Sequence, residues 1–135
     1  MRYTVLIDGE RGGYGVVVPD LAGCTAMGDT IEAALANVAA AMRDWAEVTE
    51  EAGGAVLAPR DPETLRSDPE VRAALAAGAL LASAPLIRET GRPAKANLSL
   101  DSGILAAIDE EAARRKLTRS GFVELMARHM LTEHV

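Results

Sequence analysis

The stretch Arg92-Pro93-Ala94-Lys95-Ala96-Asn97-Leu98-Ser99-Leu100 decides how the rest of this chain is read. Its apolar set, Ala94, Ala96, Leu98 and Leu100, alternates with Lys95, Asn97 and Ser99, the period-two pattern of a strand with one wet face. A lone strand leaves its backbone donors and acceptors unpaired, so this one calls for a strand from a second chain. Two such strands would form a polar two-stranded ribbon, and a ribbon of that width fits the major groove of DNA.

Two helical patterns follow. Asp101 or Ser102 caps the first, whose apolar positions are Ile104, Leu105, Ile108 and Ala112; after Leu117, Thr118 caps the second with help from Ser120, and Phe122, Val123, Met126 and Met130 form its buried face. The bland reading of the strand is a surface edge facing water, and the helices that follow it favour the DNA reading. Asparagine pairs with adenine in a bidentate way and lysine with guanine acceptors, whereas serine is permissive. Lys95 and Asn97 therefore carry more discrimination than Ser99. Thr118 and Ser120 cap a helix in either case. The N–H groups of Arg119 and Ser120, the positive end of the helix dipole and the Arg119 guanidinium together make an anion site suited to a DNA phosphate.

Charge divides the chain at the same place. The net charge of −6 looks wrong for a nucleic-acid binder, but residues 1–91 hold 7 basic and 14 acidic side chains, and residues 92–135 hold 7 and 6. The acidic surplus belongs to the first part alone, where it serves solubility or complements a basic partner. At 135 residues, 49% apolar, the chain suits one domain or two small ones. Trp45 and Phe122 are the sole Trp and Phe, which argues against stacking of single-stranded bases. Cys24 is the single cysteine, without a disulfide partner or neighbouring ligands, and reads as a small packed hydrophobe. With no signal segment or membrane-length apolar run, a cytoplasmic protein with no membrane contact is expected.

Toward the N-terminus, residues 2–8 read as a strand, Gly9–Gly13 as a turn, Tyr14–Val18 as a second strand and Cys24–Met27 as a short third one. A helix spans Ile31 to about Glu50, with Ile31, Ala34, Leu35, Val38, Met42, Trp45 and Thr49 as the stripe that faces a sheet. Either Asp29 caps it, with Glu32 completing a capping box, or Thr30 caps it and the box is lost. Gly53-Gly54 ends the helix, and Ala55–Ala58 reads as a short edge strand. Pro69–Leu81 contains a helical segment, and Ser83–Pro93 reads as connecting chain. The division expected is a domain over 1–85, a linker over 86–91 and a second domain over 92–135.

In this order and spacing, the opening strand, Gly13-Tyr14-Gly15, Pro19-Asp20-Leu21-Ala22-Gly23-Cys24, Gly28-Asp29-Thr30 and Glu32-Ala33-Ala34-Leu35 make the chain resemble a HicB-type antitoxin. Leu98-Ser99-Leu100, Ile108-Asp109 and Leu117-Thr118-Arg119-Ser120-Gly121-Phe122 resemble its C-terminal ribbon-helix-helix domain. The resemblance implies an α+β fold, with an N-terminal partial ribonuclease-H-like sheet carrying a packed helix and a C-terminal dimeric ribbon-helix-helix. It further implies a protein, not an enzyme, that binds and neutralises a HicA-type mRNA-cleaving toxin and represses its own operon by binding operator DNA, with no cofactor. Lys95, Asn97 and Ser99 become the base-contacting residues, and Thr118, Arg119 and Ser120 the phosphate-contacting turn. Tyr14, Asp20 and the exposed side of the 31–50 helix are the candidates for toxin contact. The assembly expected is a homodimer through residues 92–131, or a tetramer if the N-terminal domains also pair. The sequence departs from the pattern at Ala22, at Ala33 and at Lys116, where the family often has glycine. Either Lys116 adopts a left-handed conformation or the interhelical turn differs. The segment 70–91 has no clear counterpart.

Other chemistries fare less well. Asp8, Asp20 and Asp29 are the carboxylates near strand ends that two-metal catalysis would need, yet each has a local explanation in a turn, a Pro-Asp break or a cap. His129 and His134 lack a carboxylate or cysteine at ligand spacing. The alternative function is a ribbon-helix-helix repressor whose N-terminal domain senses a small molecule.

Overall fold

A computed structural model of the chain describes residues 1–132. Its elements are β1 (Arg2–Glu10), β2 (Gly13–Val17), β3 (Thr25–Gly28), α1 (Ile31–Glu51), α2 (Pro62–Arg66), α3 (Pro69–Ala76), β4 (Leu80–Pro85), α4 (Ser102–Arg114) and α5 (Arg119–Thr132). Among the described residues they fall into two compact units, 1–89 and 90–132. This is a mixed α+β fold whose four strands form one antiparallel sheet in the order β3-β2-β1-β4.

Alternation along the strands supplies the core of the first unit. Tyr3, Val5 and Ile7 of β1, Val16 of β2 and Ala84 of β4 point to one face and meet Ala34, Leu35, Val38, Met42 and Ala46 of α1. Leu6 faces the other way and is still buried, because Leu65 of α2 and Val71 of α3 cover that part of the outer face. The Thr30 hydroxyl accepts the Ala33 N–H at 3.0 Å, so Thr30 caps α1 and the capping box with Glu32 does not form. Gly28 must be small for this handover from strand to helix: a Cβ there would lie 2.4 Å from the Ala34 nitrogen. At the other end Gly53 takes φ 86° and Gly54 N–H bonds the Thr49 carbonyl, closing the helix with a Schellman turn.

Three expectations need correction. Residues 55–58 are not a strand; Val56 packs on the core and the Leu57 carbonyl accepts a hydrogen bond from the Tyr3 hydroxyl. The helix expected within Pro69–Leu81 stops at Ala76, and Leu80–Pro85, read as helix end and connecting chain, is β4, paired along β1 from Arg2↔Pro85 to Ile7↔Leu80. The linker expected at 86–91 begins later, since Leu86 lies in the core with its N–H on the Met1 carbonyl, Arg88 pairs with Glu50, and Glu89 accepts from Arg43 at 2.9 Å.

Candidate functional site

The second unit is short of core. Among its described residues only Ala112 and Phe122 are buried hydrophobics, whereas Leu98 is 68% exposed and Ile104 57%. Residues 91–100 are exposed throughout and have no ladder partner among the described residues, so the expected strand is not formed here. Its alternation is nevertheless visible: Ala94, Ala96, Leu98 and Leu100 all line a groove of about 300 Å³ with Leu105, Ile108 and Val123. Lys95, Asn97 and Ser99 are exposed and take no part in that lining. A second apolar groove lies along α5, between Arg115, Phe122, Leu125, Met126, His129 and Met130.

The Asp101 carboxylate caps α4 by accepting the Gly103 and Ile104 N–H groups at 2.8 and 3.1 Å. The helix ends in a Schellman turn, with Lys116 N–H on the Ala113 carbonyl and Leu117 N–H on that of Ala112. Lys116 takes φ 58°, the left-handed conformation, so of the two options at that departure the chain adopts the strained one. Thr118 caps α5, its hydroxyl accepting Gly121 N–H at 3.0 Å and its carbonyl Phe122 N–H at 2.9 Å. Helix geometry leaves the N–H groups of Arg119 and Ser120 without an intrahelical acceptor.

The Arg119 guanidinium is engaged. It grips the Asp109 carboxylate with two hydrogen bonds, of 2.8 and 2.7 Å, tying α4 to the first turn of α5. This pairing holds the Asp109 carboxyl below its ordinary range. The partnership joins residues ten apart on two different helices, a relation no single-helix periodicity exposes. Two residues on, Glu111 accepts from both Arg114 and Arg115, and the Arg115 guanidinium carbon stands 5.5 Å from the centre of the Phe122 ring.

In the first unit the Pro19–Cys24 motif is a structural plug. Leu21 is fully buried, Cys24 nearly so, and burial pushes the Cys24 thiol up from its ordinary value. The Ala22 carbonyl accepts the Trp45 indole N–H at 2.9 Å. Asp20 accepts both the backbone N–H and the guanidinium of Arg60, at 2.8 and 2.5 Å, with its side chain 8% exposed. Arg60 also reaches Asp68, the cap of α3. Asp20 thus holds Arg60 through both its backbone and its side chain. Tyr14 is half-buried on the α1 side of the sheet, packed against the core.

Asp8 lies on the opposite face of the sheet, and Asp29 is exposed beside the cap, its carbonyl accepting Gly12 N–H. No three His, Cys, Asp or Glu side chains are grouped to hold a metal ion among the described residues. His129 lines the α5 groove, and His134 lies outside the described residues. No described helix is long and apolar enough to cross a membrane.

What both units offer is surface: an acidic sheet unit, and a helical unit with an unfilled apolar face. The class so defined is a two-unit protein of mixed α+β architecture. The model of the HicB_like antitoxin of bacterial toxin–antitoxin systems matches residues 3–127. The crystal structure of the Burkholderia pseudomallei antitoxin HicB is 32% identical, with 97% of this chain and 98% of that one covered and a TM-score of 0.55. The antitoxin HicB3 crystal structure, 25% identical, covers the same shares at a TM-score of 0.54. A chain of a HicA3 and HicB3 toxin–antitoxin complex, 24% identical, shares the fold over 63% of this chain and 96% of its own, at 0.52. No curated protein matches. The chain belongs to the HicB-like antitoxin family of bacterial toxin–antitoxin systems.

Proposed function

We propose that this chain neutralises a HicA-type RNA-cleaving toxin through its first unit and, through residues 92–132, pairs with a second copy to bind operator DNA and repress its own operon. The role is non-catalytic and cytoplasmic. The observation that carries the DNA half is the division within residues 94–100, where four apolar side chains line one groove and Lys95, Asn97 and Ser99 stay out of it. A second copy's strand would supply the missing ladder and the two apolar sets would close over each other, leaving the polar set on the outside of the ribbon. The backbone donors of Arg119 and Ser120 then suit a phosphate, with Arg119 shared between that phosphate and Asp109.

The toxin half is supported by family membership and by the acidic surplus of residues 1–91, which complements the basic surface an RNA-cleaving partner needs. The first unit also agrees with a partial ribonuclease-H-like reading, in that a three-stranded meander is followed by a helix that carries the chain across to the far side of β1, where β4 runs antiparallel.

Co-expression with the product of the adjacent reading frame, followed by co-purification and a gel shift on the upstream promoter, tests both halves. Wild type should hold the neighbour and shift the promoter. Asn97→Ala should lose about 1–3 kcal/mol of discrimination for the operator while still holding the neighbour. Loss of both functions in a folded Asn97→Ala protein would refute the division of labour.

A further inference from the structure

We propose that a cleft between the outer face of the sheet and α3 receives one cationic side chain, arginine or lysine, of the toxin, an assignment that rests on the toxin-binding reading above. The cleft, about 180 Å³, has an apolar floor of Leu6, Val17, Val71 and Ala74 and an acidic rim of Asp8 and Glu70. Leu6 and Val17 are register partners on β1 and β2, so the floor is continuous across two strands. Asp8 sits two residues along the same face over Gly15, where a Cβ would lie 2.8 Å from its Oδ1. The glycine leaves room for that carboxylate at the mouth.

Chemistry and size select the occupant. Asp68 also lines the cleft, but it is spoken for: it caps α3 through Glu70 N–H at 2.9 Å and pairs with Arg60 at 3.1 Å. Asp8 and Glu70 have no ion-pair partner among the described residues and are exposed at the rim. Small-molecule sites run to about 300–1,000 Å³, so this cleft is too small for a sensed metabolite but holds one long side chain. A lysine or arginine lays its aliphatic stem on apolar surface and keeps its charge at the edge, which matches floor and rim. The unit's excess of acid would steer such a group in. A cation held here is withdrawn from RNA phosphates, so occupancy of the cleft is itself a way to inhibit.

The test uses the full chain and the basic protein encoded beside it, purified, as the probe. In binding titrations at low and high salt, Asp8→Asn/Glu70→Gln should weaken the complex about tenfold or more and flatten its salt dependence. Its thermal melt and promoter binding should match wild type, since neither carboxylate has an ion-pair partner among the described residues. Ala74→Met, which narrows the cleft without changing charge, should also weaken binding. If the double variant binds like wild type with the same salt dependence, or Ala74→Met has no effect, the cleft is overturned and the toxin-binding reading stands. If wild type itself does not bind the neighbour, both fall.

Discussion

Glu111 accepts hydrogen bonds from Arg114 and Arg115, and they hold its carboxyl down from 4.5 to about 2. A carboxyl depressed on folding stabilises the folded state above its ordinary value and loses that contribution as the pH falls through the folded value. The expected outcome is therefore an α4–α5 stability that is flat above pH 4.5 and declines between 4.5 and about 2, with that part of the decline absent in Glu111→Gln. Melts across this range, followed in the full chain, read it out; an identical acid profile for the variant would contradict the pairing. Asp20 and Arg119 teach a related lesson about charged motif residues. Each looked available in the sequence, Asp20 for a partner and Arg119 for a phosphate, and each is paired within the chain, with Arg60 and Asp109. Sequence shows that a charge exists and where its element lies. It does not show which distant loop returns to neutralise it.

Helix ends illustrate how much elements disclose beforehand. α1, α3 and α4 all close with Schellman turns, and at the left-handed position the first two have Gly53 and Gly78, φ 86° and 103°, whereas the third has Lys116 at 58°. A side chain there costs roughly 1–2 kcal/mol, partly offset because glycine loosens the unfolded chain. Lys116→Gly should thus stabilise the second unit by about 0.5–1 kcal/mol in denaturant melts, and destabilisation would contradict the turn. The resemblance made this position legible because a glycine was expected. α1 was legible too, since its stripe spans many turns and its boundaries carry Thr30 and Gly53. β4 was not: Leu-Leu-Ala-Ser-Ala-Pro lacks β-branched residues, and its inward Ala82 and Ala84 differ too little from outward Ser83 to show a period. Pairing with β1 makes it a strand. Residues 55–58 erred the other way: their apolar character reads as a strand, but Val56 goes into core packing and no ladder forms.

For the molecule as a whole, the boundary between the two compact units falls close to the charge step near residue 91. The boundary moved because Leu86, Arg88 and Glu89 hold to the first unit through core packing and ion pairs, contacts invisible to a local reading. The two-sided alternation of residues 94–100 was legible in the sequence, whereas the cleft under α3 required the register of β1 on β2 and a helix some sixty residues away. In the reading proposed above, this unit with little core of its own completes it with the same segment of a second chain, seated on the groove of Ala94, Ala96, Leu98 and Leu100. Backbone hydrogen exchange over residues 94–100, followed against protein concentration, reports that ladder without regard to dimer or tetramer. The amides should be protected in a concentration-dependent way in wild type and exposed in Leu98→Glu, with the sheet of residues 2–85 protected equally in both; fast exchange of 94–100 in wild type at every concentration would contradict a ribbon between two chains.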